Sequence, residues 1–330
     1  PSLMPGGSPG AWKIIRPLLQ SIAAKLDDGT PCCEWTGRGG SGHFVKMVHN
    51  GIEYAMMQAI AEAYDMMRRM TAMGADEMAG VFAGWNSGSL GGYLMGIVPQ
   101  ILKKRDRGAP LLDAVLDRAS QKGTGRDASA AALELGVSAP AIDEAVSARF
   151  LSSLPDERRR ASGLYPADVA FAGDRDALLH DLEEALFCAI MVSHCQGFYL
   201  MERASSDFGW DLDRAAIARL WRGGCIIQST LMNDIEKIID LRSGNGNLLL
   251  AEQAGDLIKE KLAGWRRTVS AAALHGIPAP LMASTLSYFD GYRSARLPAN
   301  LVQAMRDFFG AHGYERVDGP EGMIYRTEWG

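Results

Sequence analysis

The sequence predicts a mainly α protein: a large, duplicated all-helical body, a small β-α-β fragment before it and an extended tail after it. Three observations carry that prediction. The strand signal nearly vanishes after Gly42, apolar residues then recur at helical spacing as far as Phe309, and part of the body is repeated about 140 residues later. The 330 residues, 47% hydrophobic and 22% charged, have the composition of an ordinary globular chain of about two domains. A net charge of −5 argues against nucleic acid as a partner, because no broad electrostatic grip is available. An anionic ligand would need cations gathered locally. No apolar run reaches roughly 18 residues, so no membrane association is expected. Cys32, Cys33, Cys188, Cys195 and Cys225 form no CxxC pair and read as free thiols of a cytoplasmic protein. Neither Cys nor His clusters at ligand spacing, so no metal is expected.

The elements follow in order. Residues 2–7 read as a short strand ending in a Gly turn, 11–25 as a helix (Ile14, Ile15, Leu18, Leu19, Ile22) and 31–36 as a second strand. Helices are predicted over 43–72, 76–85, 89–104, 110–118, 127–135 and 139–153. A second set covers 176–207, 211–221, 226–241, 250–275, 279–290 and 298–309. Gly136, Gly276 and Gly310 stand where helix C-caps are expected. Residues 314–330 read as two short extended pieces around an Asp318–Gly322 turn, a tail that packs on something else.

The repeat makes an internal control. Ser129–Leu133 returns as Ser270–Leu274, and each is followed by Gly-(Val/Ile)-x-Ala-Pro. Trp85 matches Trp221, and the long helix 43–72 matches 176–207. Two helical halves result, about 41–175 and 176–295. A residue that only supports the fold should have a similar partner in the other half.

Lys46, His49, Asn50, Glu53 and Tyr54 fall at i, i+3, i+4, i+7 and i+8, one stripe of the long helix. In the second half Lys46 becomes Ile190 and Glu53 becomes Gly197. Two readings are open. One is a solvated face with an ordinary Lys–Glu pair. The other is an acid–base pair, in which apolar surroundings (Phe44, Val45, Met47, Val48) favour both neutral forms. Lys122-Gly-Thr124-Gly-Arg126 is a compact anion-binding candidate that opens a helix, although it lacks P-loop spacing. Arg149 stands mid-helix where the other half has Phe289, which favours a specific ligand. Arg306 and His312 close the last helix, either as dipole compensation or as ligand groups. Gly37–Gly42 fits GxGxxG but lacks the βαβ unit of a nucleotide site, so it reads as a hinge. His43, His180, His194 and His275 read as structural, and the methionines as core.

These residues resemble those of the decarboxylating 6-phosphogluconate dehydrogenase family. The resemblance rests on PSLMPGG at 1–7, GHFVKMVHNGIEY at 42–54, QKGTGR at 121–126, ARFLSSLPDER at 148–158, WRGGCII at 221–227 and the FDGYR to FFGAH stretch at 289–312. It spans the whole chain. It implies a homodimer with a Rossmann domain for NADP, a duplicated helical domain and a tail that crosses into the partner subunit. The implied reaction oxidises and decarboxylates 6-phosphogluconate to ribulose 5-phosphate. By the resemblance Lys46 is the general base and Glu53 the acid that protonates the enediol. His49 and Asn50 hold the carboxylate and hydroxyls. Tyr54, Lys122, Thr124 and Arg149 bind the phosphate, and Arg306 and His312 are given to the other subunit's site. Residues 1–40 correspond to the last β-α-β piece of the Rossmann domain, 41–295 to the substrate and dimerisation domain, and 296–330 to the helix end and tail. The dinucleotide fingerprint precedes the stretch matched here, so the chain alone is expected to be inactive and to hold no cofactor-binding residues of its own. The alternatives are a non-catalytic helical dimerisation module and another β-hydroxyacid dehydrogenase.

Overall fold

The computed structural model describes residues 1–166, 171–241 and 246–330. They form two compact units, Pro1–Leu286 and Ser287–Gly330.

The first unit begins with a β-α-β arrangement reduced to single bridges. Leu3 pairs in parallel with Cys33, and helix α1 (Pro9–Ile22) crosses between them. Ser8 caps α1 and Pro9 pre-sets its first turn. Trp12 is the one residue of α1 that is buried, and it packs with Ala23 and Cys33. Ile14, Leu18 and Ile22 remain exposed at i, i+4 and i+8, an apolar stripe along α1.

Two long helices make the spine, α2 (Ser41–Thr71) and α8 (Arg175–Phe208). Gly197 lets them approach. A Cβ there would lie 2.5 Å from Ile52 Cδ1 and 3.3 Å from Val48 Cγ1. Length and hydropathy alone would let α8 cross a membrane, but 89% of its apolar window is buried inside the protein. It is a core helix, and its all-round hydrophobicity reflects packing on every side.

The repeat is visible in three dimensions. Helices α5 (Thr124–Glu134) and α6 (Pro140–Ser152) correspond to α12 (Leu262–Leu274) and α13 (Pro280–Tyr292). Gly136 and Gly276 end α5 and α12 at φ 64° and 63°. The same return bond follows each, Val137 N to Ala132 O at 2.8 Å and Ile277 N to Ala272 O at 2.9 Å. The N-terminus of α6 is met by Gln196 of α8, which accepts from Ala141 N at 3.0 Å. That of α13 is met by Glu62 of α2, which accepts from Leu281 N at 2.9 Å and Met282 N at 3.0 Å.

The two caps differ in charge, and this gives a prediction. Burial raises the Glu62 carboxyl to about 7, partly opposed by its hydrogen bonds. Between its ordinary value and 7 the native state keeps a proton that the unfolded chain has released. Stability from this group therefore falls as pH rises through that window. Glu62→Gln carries no titrating group and should flatten the slope of the thermal midpoint between pH 5 and 7. An unchanged slope would remove Glu62 as its source.

Several predicted boundaries move for identifiable reasons. Gly92 and Ser229 form an antiparallel bridge, with Thr230 N donating to Gly91 O at 2.8 Å. That pairing takes the backbone groups of both segments, so α4 (Tyr93–Lys103) and α10 (Leu231–Leu241) start later than the predicted 89 and 226. The predicted helix 110–118 is a single 3-10 turn, Leu111–Ala114. Its helical apolar spacing lacks a surface to pack on, since Leu111, Val115 and Leu116 are all exposed. A two-residue hairpin precedes it, Arg105–Asp106 (β1) against Ala109–Pro110 (β2), turning through Arg107 and Gly108 at φ 49° and 86°. Helix α7 (Pro155–Leu164) was not predicted, because Pro155 is a helix start here rather than a break. The predicted helix 250–275 splits into α11 (Glu252–Lys259) and α12, whose Gly264 then comes against Glu184 and Asp181 of α8. The helix 211–221 shortens to α9 (Arg214–Leu220), capped by Asp213. Gly37–Gly42 is a packed turn and not a hinge: a Cβ at Gly37 would lie 2.7 Å from Trp210 O.

In the second unit α14 (Ala299–Gly310) is followed by a tail closed by the Tyr314–Tyr325 antiparallel bridge. The left-handed residue that ends α14 is Ala311 at φ 46°, not Gly310. Gly310 serves a different purpose, since a Cβ there would meet the His312 ring at 2.3 Å. Buried Asp307 organises the tail by accepting from Gly313 N, Thr327 N and Trp329 Nε1. Burial pushes its pKa up, but these bonds outweigh it and hold the carboxyl below its ordinary value.

Candidate active site

The first turns of α2 are clasped by the N-terminal segment. Thr36 N donates to Pro5 O at 2.8 Å and Gly7 N to Gly37 O at 2.9 Å. A Cβ at Gly42 would lie 2.2 Å from Met4 O, so the loop 4–6 lies directly against the helix. A cleft of about 430 Å³ remains, lined by Leu3, Met4, Gly6, Gly42, His43 and Lys46.

The stripe on α2 runs inward from this cleft. Lys46 keeps an exposed flank, and its Nζ lies 3.1 Å from His49 Nδ1. His49 is fully buried, and its Nδ1 is also 3.2 Å from Asn50 Oδ1 and 3.9 Å from Glu53 Oε2. Asn50 Nδ2 donates to Thr124 Oγ1 at 3.2 Å, which joins the helix to the start of α5. Tyr54 is buried, with the Arg149 guanidinium 3.4 Å above its ring centre. Arg149 also donates to Ser120 O at 3.1 Å, so it braces the segment leading into Lys122. Lys122 itself is exposed at the mouth of that loop.

Desolvation dominates the electrostatics. Burial lowers the Lys46 ammonium below its ordinary value, with Glu53 and Cys225 opposing. Burial raises the Glu53 carboxyl, with Lys46 and Arg149 opposing. Burial and then Lys46 press His49 down to about 3, so the Glu53–His49 contact is not an ion pair at neutral pH. Burial also lowers Arg149, while Tyr54 and Glu53 act the other way. The pair is thus biased toward a neutral amine and a neutral carboxylic acid on one helix edge. That is a combination for accepting one proton and donating another.

The structure brings together Lys46, His49, Asn50, Glu53, Tyr54, Thr124 and Arg149, with Lys122 on the same loop. Arg306 and His312 belong to the second unit. There Arg306 donates to Gln303 Oε1 at 3.1 Å, and His312 Nδ1 donates to Arg306 O at 3.0 Å.

Three further contributors lie in the stretches QKGTGR and WRGGCII, where sequence alone assigns them no individual role. Gly125 makes room for Tyr54, since a Cβ there would lie 2.5 Å from Tyr54 Cδ2. Trp221 meets the His49 ring edge-on at 5.5 Å. Its match to Trp85 in the repeat gives no sign of a local role. Cys225 influences Lys46 electrostatically, but a lone cysteine in sequence carries no such signal.

Comparison with known proteins identifies the family. Residues 42–329 match the family described as "6-phosphogluconate dehydrogenase, C-terminal domain". The chain belongs to the 6-phosphogluconate dehydrogenase family. It is 49% identical over 316 residues to "6-phosphogluconate dehydrogenase, decarboxylating" of Schizosaccharomyces pombe, covering 95% of this chain and 64% of that one. The sheep (Ovis aries) protein of the same name is 47% identical over 332 residues, covering 100% and 68%. Among solved structures, 6-phosphogluconate dehydrogenase of Plasmodium falciparum superposes with a TM-score of 0.95 at 37% identity, covering 99% of this chain and 70% of that one. That protein is described in its apo form and in complex with NADP+ and with 6-phosphogluconate. The chain therefore spans about two thirds of the length of the relatives it matches.

Proposed function

We propose that this chain carries the substrate-binding and catalytic helical part of an enzyme that oxidises and decarboxylates 6-phosphogluconate with NADP. One observation supports the reading above all. An amine and a carboxylic acid share one helix edge with His49 and Asn50 between them, and Asn50 is bonded to a loop braced by Arg149.

In this reading neutral Lys46 takes the C3 hydroxyl proton as the C3 hydride departs. NADP supplies the hydride acceptor. The resulting β-keto acid loses carbon dioxide, and the electron pair of the broken C1–C2 bond moves toward the C3 carbonyl oxygen. Protonated Lys46 stabilises the oxygen charge that develops. Glu53 delivers its proton to the carbon that lost carbon dioxide. Asn50 and His49 orient hydroxyls and carboxylate, and Tyr54, Lys122, Thr124 and Arg149 hold the phosphate. The cleft beside Lys46 is where the nicotinamide end of the cofactor would lie, with Gly6 and Gly42 offering no side chain to its wall. The residues lining it offer His43 and Lys46 as the basic groups, which is not a phosphate-binding set.

The exposed stripe Ile14, Leu18 and Ile22 fits a cofactor domain packed on α1. The exposed Leu301, Val302, Met305, Phe308 and Phe309 of α14 fit a homodimer in which the tail reaches the other subunit's site and delivers Arg306 and His312. The division into 1–40, 41–295 and 296–330 belongs to the same proposal. The test is the rate of NADPH formation from 6-phosphogluconate by the native protein that carries this chain, together with its sedimentation mass. NADPH formation in a dimer supports the proposal. A well-folded dimer without turnover would instead favour a non-catalytic helical module. Turnover of unphosphorylated hydroxyacids in preference would favour a different β-hydroxyacid dehydrogenase.

A further inference from the structure

Three buried rings stand on the inner side of the site. His49 Nε2, His194 Nε2 and Trp221 Nε1 have no hydrogen-bond partner among the described residues. His49 and His194 are both fully buried, and so is Trp221. Trp221 lies between the two long helices, 5.5 Å from the His49 ring and 5.3 Å from the Phe198 ring of α8. His194 stands one turn before Phe198 on the same face of α8. The crossing of Gly197 over Val48 and Ile52 brings that turn to His49, whose titration it influences. Unpaired buried polar groups are costly, and each of these nitrogens calls for a partner such as an internal water.

The proton roles are constrained. Trp221 Nε1 can only donate. His194 Nδ1 lies 2.8 Å from Ile190 O, a carbonyl, so Nδ1 donates and Nε2 accepts. His49 stays neutral in its buried position, so its remaining freedom is which nitrogen carries the proton. A protonated Lys46 donates to His49 Nδ1 and requires the Nε2–H form, which looks inward for an acceptor. A neutral Lys46 frees Nδ1 to carry the proton and donate to Asn50 Oδ1, and Nε2 then looks inward for a donor. The interior offers one of each.

We infer that His49 is a tautomeric link between Lys46 and the protein interior, with His194 and Trp221 as positioning residues that each favour one of its two neutral forms through a bridging water. The charge on the amine is thereby answered by a proton shift in the ring behind it. The charged or titratable groups facing His49 are Lys46 and Glu53 from α2 and His194 from α8, with Cys225 and Arg149 beyond them. The inference rests on the proposed function only for what the Lys46 amine does, and its test needs no turnover.

The test is the ring nitrogen shifts of ¹⁵N-histidine-labelled native protein, followed from pH 7 to 10.5. The expected parent result is a His49 Nε2–H form that yields to Nδ1–H as Lys46 loses its proton. Lys46→Met should abolish that pH dependence. His194→Phe removes the inner acceptor and should move the tautomer ratio toward Nδ1–H by roughly fivefold. Trp221→Phe removes the inner donor and should move it a similar amount the other way. General loosening of the core cannot produce opposite signs. One tautomer throughout, or two variants that shift the ratio in the same direction or not at all, would overturn the inference. Where either Phe variant does not fold, His194→Gln, which retains an acceptor, must leave the parent ratio in place, and a shifted ratio there overturns it equally. Failure of the proposed function is read separately, from the NADPH rate.

Discussion

Lys46→Met should lower the maximal rate by about a thousandfold or more, the loss expected when a positioned general base is removed and nothing replaces it. Substrate affinity and the native mass should stay close to those of the parent, because the phosphate clamp proposed around Arg149 is untouched. Methionine is nearly the length of lysine, and Met47 and Val48 flank the position, so the fold has little reason to object. Burial already lowers the Lys46 ammonium, with Glu53 and Cys225 only partly opposing, so the folded state gains little from holding it charged. A depressed amine pKa favours the folded state above it and opposes folding as pH falls through it. Removal of the amine should therefore leave the thermal midpoint unchanged or slightly raised near neutral pH. Two partner effects should follow. Lys46 is a group that lowers Glu53, so the Glu53 carboxyl should titrate higher in the variant. Lys46 also depresses His49, so the His49 ring should titrate upward. Steady-state kinetics with calorimetry at pH 7.5 decide the matter. A fall of many degrees in the midpoint alongside the rate would mark Lys46 as a structural residue, and a variant retaining a tenth of the parent rate would remove it as the base.

The intact pair should also set the pH dependence of turnover. Lys46 and Glu53 lie on one helix edge and influence each other, so they titrate as a unit rather than as two independent groups. Desolvation moves the amine down and the acid up. The doubly neutral form that one proton transfer in each direction requires is thus more populated than two solvated side chains would allow.

Much of this site was legible before any coordinates, because α2 is a single helix. Periodicity alone places Lys46, His49, Asn50 and Glu53 together, and the repeat control singles out Lys46 and Glu53 by their partners Ile190 and Gly197. Gly197 has its own reason to be small, which is the Ile52 side chain that fills its space. The helical body was legible for the same reason: α8 and α2 repeat their apolar pattern over many turns. What the sequence hid was chain meeting chain. The bridge at Gly92 and Ser229 shortens two helices that look longer, and nothing in either segment announces the other. The 110–118 pattern looks helical, yet it has no surface to bury against. His194 read as one more core histidine, and only the packing of α8 on α2 brings its turn to His49.

The proposed phosphate end of the site yields the second large effect. Arg149→Ala should raise KM for 6-phosphogluconate by about a hundredfold, with kcat within about twofold, since a phosphate clamp remote from the hydride binds ground and transition states alike. The Arg149 guanidinium is held flat over Tyr54 at 3.4 Å, and that platform depends on a residue that never touches the ligand. Gly125→Ala would put a methyl group 2.5 Å from Tyr54 Cδ2 and 2.6 Å from Cε2, which no rotamer of a buried ring can absorb in place. The ring must tilt, the guanidinium must follow, and the contact to Ser120 O must lengthen. The expected result is a KM raised about tenfold with every charge still present, through loss of the ring–cation geometry. Overpacking should also cost about 1–3 kcal/mol of stability. The double variant Gly125→Ala with Tyr54→Leu decides whether geometry is the cause. Leucine leaves room for the methyl group but offers no face for the guanidinium, so stability should recover while KM stays high. Recovery of both would mean that Tyr54 only fills space, and recovery of neither would mean that Gly125 acts through the backbone of the anion loop.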